Sequence, residues 1–162
     1  MLLTRIKVVC FVLCLIGFRE PWNTSDVTAV LHGGLAHQGF IRSVNDANLM
    51  FELLWRGLEI DADNNVVMRD QEIASMRQGR AFLSLINDSI PKTFSAMEKL
   101  LAMLEEQDNS FTQARFETLL LGTIYSAYQA RNQKLDSEQQ AWMDILGRFA
   151  NVTFVQLLTS FN

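Results

Sequence analysis

The densest run of oxygen-bearing side chains is Asp61-Ala-Asp63-Asn64-Asn65-Val66-Val67-Met68-Arg69-Asp70-Gln71-Glu72. Counted from Asp61, oxygen ligands at positions 1, 3 and 5, an apolar residue at 8 and a glutamate at 12 follow the spacing with which an EF-hand loop surrounds calcium. Position 6 departs from it. Val66 stands where glycine makes the sharp turn, and a β-branched residue resists positive φ. The alternative is a polar connection between helices, in which Val66-Val67-Met68 runs extended and Asp70 caps the next helix.

Three Asn-x-Ser/Thr triplets are a second kind of chemistry: Asn23-Thr-Ser25, Asn87-Asp-Ser89 and Asn151-Val-Thr153. In a chain that passes through the secretory pathway each is an acceptor for an N-linked glycan. Asn87 ranks first because it falls at a turn before Pro91. Asn151 follows, lying about 180° from Trp142 on a helical wheel. Asn23, two residues after Pro21, ranks last. The two histidines, His32 and His37, share a glycine-containing stretch without a nearby third ligand, a poor setting for a metal. Glu105-Glu106 and Asp61-Asp63 are read as solvated charges rather than acid-base pairs. No catalytic residue, cofactor site or metal centre is assigned, and the chain is read as non-enzymatic.

These groups sit behind an N-terminal segment with its own signature. Arg5 and Lys7 precede an uncharged run, Val8 to Phe18, that is too short for the ~20 residues needed to span a bilayer. Residues 1–18 are expected to form a cleaved signal peptide, which makes the mature chain secreted and leaves it no stable membrane insertion. Cys10 and Cys14, the only cysteines, would leave with it. A cysteine-free secreted chain has no disulfide framework and must rest on its core. Without Arg5, Lys7 and Arg19, 11 basic residues face 18 acidic ones. The basic residues form no run that could track phosphates, so nucleic acid is not an expected partner.

Residues 19–44 carry Gly33-Gly34 and scattered Ser, Thr, Asn and His, and are expected to be a flexible arm. Residues 45–162 read as one all-α domain, a bundle of four or five helices. The first helix, about Asp46 to Ile60, is apolar around most of its circumference and is expected to be central. The second runs from Asp70 with a break or kink at Gly79. Pro91 suits the first turn of a third, with Phe94, Met97, Leu101 and Leu104 facing inward. Ser110 with Gln113, and Ser137 with Gln140, have capping-box spacing ahead of a fourth and fifth helix. Phe149 to Asn162 carries no charge, which fits either a buried helix end or a docking surface.

The blocks Phe51-Glu-Leu-Leu-Trp-Arg-Gly-Leu-Glu-Ile60, Met68-Arg-Asp-Gln-Glu-Ile-Ala-Ser-Met-Arg77, Leu85-Ile-Asn-Asp-Ser-Ile-Pro-Lys92 and Phe116-Glu-Thr-Leu-Leu-Leu-Gly-Thr-Ile-Tyr-Ser-Ala-Tyr128 resemble, in order and spacing, the small vertebrate proteins grouped as "family with sequence similarity 180". The likeness covers about Leu49 to Phe149. It implies a short protein with a signal sequence, regarded as secreted, and brings no activity or catalytic residue with it.

The expected function is that of a secreted, N-glycosylated helical protein acting by protein-protein interaction. It would serve as an extracellular ligand or modulator of a cell-surface receptor or matrix component. The alternative is a carrier enclosing an apolar small molecule, and a further one is a degenerate EF-hand-like calcium module.

Overall fold

The computed structural model describes residue 40, residues 44–106 and residues 112–160. The signal-like segment, both cysteines, both histidines, Asn23 and Ser110 lie outside these residues. Within them the chain is mostly helical, as its apolar period predicts. Six helices and one hairpin follow in the order α1 (Val44–Arg56), β1 (Leu58–Ile60), β2 (Val66–Met68), α2 (Gln71–Ser75), α3 (Arg77–Ser89), α4 (Phe94–Glu106), α5 (Gln113–Asn132) and α6 (Asp136–Ser160).

The expected first helix stops four residues early. Gly57 takes φ +100°, open to glycine but strained for other residues, and Leu58-Glu-Ile60 pairs antiparallel with Val66-Val-Met68. Asp70 caps α2 as expected, its Oδ1 accepting from the N–H groups of Glu72 and Ile73. The break expected at Gly79 falls instead at Met76, whose ψ of 153° is extended. Gly79 is helical and buried, and a Cβ there would come 1.9 Å from the Ile73 carbonyl oxygen. The glycine thus lets α3 fold back against α2.

Pro91 lies before α4 rather than in it. Thr93 begins that helix, with its carbonyl accepting from Met97 N–H and its hydroxyl from Ala96 N–H. Thr112, not Ser110, caps α5 by accepting from Arg115 N–H. Helix α6 begins at Asp136, so Ser137 falls inside its first turn instead of capping it.

The central helix is α5, not α1. From Arg115 to Ala130 every residue of α5 but Thr118 is buried, whereas Asn45, Asn48 and Glu52 of α1 are exposed. Helix α6 packs along α5 through Trp142, Ile145, Phe149 and Val152, all in one core with Phe82, Ile86, Met97 and Leu101. Thr123, Arg115 and Glu117 of α5 tolerate burial because they are bonded, whereas the buried Ser126 hydroxyl has no hydrogen-bond partner among the described residues. Thr123 Oγ1 donates to the Leu119 carbonyl at 2.7 Å, and the Arg115 guanidinium donates to the Leu104 carbonyl. Glu117 Oε2 accepts from Phe40 N–H at 3.1 Å, and the Phe40 ring meets Phe82 edge-on at 5.9 Å. Phe40, counted by sequence with the arm, is therefore docked on the core.

Candidate functional site

The β1–β2 loop is held by its own first residue. Asp61 Oδ1 accepts from Asp63 N–H at 2.9 Å and Asn65 N–H at 2.8 Å, while Oδ2 receives Asn65 Nδ2 at 3.4 Å. These bonds, the Asn65 N–H foremost, hold the Asp61 carboxyl below the usual carboxylate range. Asn64 takes φ +62°, a conformation asparagine adopts more readily than most residues. The left-handed turn residue is thus position 4 of the EF-hand count, and Val66 at position 6 begins a strand.

A strand rather than a helix also precedes Asp61, so the helix-loop-helix frame of an EF-hand is missing. Asp63 and Glu72 are exposed. Among the described residues, no three His, Cys, Asp or Glu side chains are grouped to hold a metal ion.

Beside the loop, α5 presents Tyr125 and Gln129 one turn apart on one face, and Gln133, the residue that caps its C-terminus, continues the spacing by four. The Tyr125 hydroxyl lies 3.0 Å from the Asn64 carbonyl oxygen and 3.1 Å from that of Lys92, and accepts from Gln129 Nε2 at 2.8 Å. Gln129 Nε2 also reaches Asn64 Oδ1 at 3.1 Å, and Gln133 Nε2 donates to Gln129 Oε1 at 3.0 Å. Lys92 Nζ donates to Asn65 Oδ1. Burial pushes the Tyr125 phenol above its ordinary value and keeps it a neutral donor.

This amide and phenol network borders an open cleft of about 410 Å³. Asn64, Gln129 and Gln133 supply amides, Lys92 and Glu138 opposite charges, and Thr93 and Ser137 hydroxyls. The apolar wall is Phe94, Ala141 and Trp142. Trp142 is held edge-on by Phe94 at 5.5 Å and by Tyr125 at 6.0 Å. Side chains fixed by each other in this way hold polar groups beside an apolar wall in a set arrangement.

The residues singled out by sequence lie elsewhere. Asn87 is half-buried in α3, with its carboxamide bonded to Val66. Asn151 is exposed on α6. Glu105 pairs with Arg148 at 2.9 and 2.6 Å, tying α4 to α6 at the surface and holding the Glu105 carboxyl low. The charge-free tail divides: Phe149, Val152 and Thr153 are buried, while Phe154 and Val155 are 60% and 49% exposed. The cleft residues escaped sequence reading, although the spacing by four of Tyr125, Gln129 and Gln133 was a visible signal.

The profile of the FAM180 family matches residues 25–155. Human Protein FAM180B is 27% identical over 125 residues, covering 76% of this chain and 68% of that protein. No solved structure matches the fold. With the family profile spanning most of its length, the chain belongs to the FAM180 family.

Proposed function

We propose that this FAM180 protein is secreted and acts without catalysis, by binding a segment of another extracellular protein in the cleft between the β1–β2 loop and helices α5 and α6. Secretion is supported by Arg5 and Lys7 ahead of the short apolar run Val8 to Phe18. Among the described residues no helix is long and apolar enough to cross a membrane.

The cleft carries the binding reading. The Asn64 Nδ2 and Gln133 Oε1 groups, held in place by Gln129, match the acceptors and donors of a peptide main chain, and Phe94 with Trp142 offers an apolar wall for a side chain. A single observation disfavours an apolar carrier: Phe149 fills the contact between α5 and α6, its ring closed against Gly122.

The test compares the secreted wild type with Ala141→Trp, which fills the cleft, and Gln133→Glu, which reverses a donor, in saturation binding to animal cells and deposited matrix. Unchanged thermal melts establish that both variants fold. Saturable binding weakened tenfold or more in the variants supports the cleft. Equal binding by all three, or no binding by any, overturns it.

A further inference from the structure

The top-ranked glycan acceptor is occupied by the fold itself. In the paired register, Glu59 faces Val67, while the Asp61 N–H bonds the Asn65 carbonyl and the Arg69 N–H the Gly57 carbonyl. Alternate residues of an antiparallel strand point their N–H and C=O groups outward. Val66 is such a residue, and both of its outward groups go to one side chain: its N–H donates to Asn87 Oδ1 at 2.8 Å, and its carbonyl accepts from Asn87 Nδ2 at 2.9 Å. The Asn87 carboxamide acts as a missing strand, closing the edge of β2 onto α3.

The two bonds also select a hydrogen. Both partners lie on one edge of the planar carboxamide, so the Nδ2 hydrogen in use is the one on the same side as Oδ1. A glycosylated asparagine is a secondary amide, and its trans form places the sugar carbon opposite Cβ, on the Oδ1 side. The sugar therefore replaces the hydrogen that Val66 needs. A chain modified at Asn87 before folding cannot close this pair.

Asn151 has neither constraint. It is exposed on α6, its carboxamide has no partner among the described residues, and Gly147 and Ala150 beside it are exposed and small. Phe154, three residues on, and Val155, four residues on, share its helix face and are the exposed large apolar side chains of the tail among the described residues.

We infer that the secreted protein carries an N-linked glycan at Asn151, lying over Phe154 and Val155, and none at Asn87. The reaction takes place on the unfolded nascent chain. Asn151 Nδ2 attacks the anomeric carbon of a lipid-pyrophosphate-linked oligosaccharide, a C–N bond forms as the C–O bond to the pyrophosphate breaks, and Nδ2 loses one proton. Chains modified at Asn87 fold poorly and are retained, so the secreted pool is selected for a free Asn87. Val152 and Thr153, which complete the acceptor triplet, turn into the core once α6 has packed.

This inference rests on the secreted reading, and two expressions keep their failures apart. The chain is produced in animal cells with its own N-terminus, and again behind a signal peptide borrowed from an unrelated secreted protein. Site-resolved glycopeptide mass spectrometry is read on the medium of each. Failure of the first to enter the medium while the second succeeds overturns the native signal and leaves the glycan inference to be decided on the second.

The expected result is occupancy at Asn151 in most molecules and at Asn87 in fewer than about one in twenty. Asn151→Gln removes the glycan from that peptide and exposes Phe154, so binding of an apolar dye rises. Asn87→Gln retains the Asn151 glycan but lowers the secreted yield and the melting temperature. Substantial occupancy of Asn87 in folded, secreted protein, or a bare Asn151, overturns the inference.

Discussion

Helices α5 and α6 meet where Gly122 faces the ring of Phe149, and this contact fixes the sign of a small substitution. A Cβ built on Gly122 lies 2.5 Å from Phe149 Cζ and 2.6 Å from Cε1, against the ~3.5–4.0 Å at which carbon atoms rest. Phe149 is fully buried, so its ring has no solvent to move into. Overpacking of this kind costs about 1–3 kcal/mol. Alanine regains about 0.8–1 kcal/mol of helix propensity, which leaves Gly122→Ala destabilising by up to ~2 kcal/mol. Gly147 supplies the control: in α6 its added Cβ meets nothing within 4 Å, so Gly147→Ala stabilises by about 0.8–1 kcal/mol.

The assay is urea unfolding followed by helical ellipticity for both single variants, Phe149→Leu, and the Gly122→Ala/Phe149→Leu pair. Leucine lacks the ring atoms that clash, so in that background Gly122→Ala becomes neutral or stabilising, a coupling expected between touching residues. Gly122→Ala raising the midpoint as Gly147→Ala does would refute the packing of α5 against α6.

Other expectations concern the loop and its network. Tyr125→Phe leaves Gln129, Asn64 and Lys92 short of a partner and lowers stability by about 1–3 kcal/mol. An unchanged urea midpoint counts against the network. Because burial raises the Tyr125 value in the fold, its contribution is present below the unfolded phenol value and is lost as pH rises through the folded one. Unfolding curves near pH 10 and above, compared between wild type and Tyr125→Phe, should converge. Asp61 and Glu105 behave oppositely. Both are held low, so their contribution is complete above the unfolded carboxylate value near ~4 and fades as pH falls through the folded values. The double variant Asp61→Ala/Glu105→Gln should lose less stability than wild type between pH 5 and pH 2, and parallel profiles would refute this. Millimolar calcium should leave the melting temperature unchanged, since the Asp61 carboxylate already holds its own loop. A calcium-dependent rise abolished by Glu72→Gln would restore the EF-hand reading.

The helical class was legible because burial in α3, α4 and α6 follows a 3.6-residue period that any wheel reveals. The central position of α5 was hidden. Its polar residues suggest a solvated face until Arg115 is seen on the Leu104 carbonyl and Gln129 on Asn64. The hairpin was half legible. Val66 to Met68 reads as extended, but its partner Leu58 to Ile60 continues the apolar pattern of α1, and only the φ of Gly57 divides them. Asn87 illustrates the limit at the site level. A sequence shows that an asparagine is followed by the right residues, but not that its carboxamide is engaged by a strand 21 residues away. The cleft unites residues from the hairpin, the start of α4, α5 and α6, a juxtaposition that no local pattern encodes.

The most direct test of the proposal that this FAM180 protein is secreted is the mature N-terminus of the full chain after expression in animal cells, determined together with its location. The account predicts protein in the medium that begins near residues 18 to 24. Retention in membranes with residues 1–20 intact would contradict it, and would make Val8 to Phe18 an anchor rather than a signal.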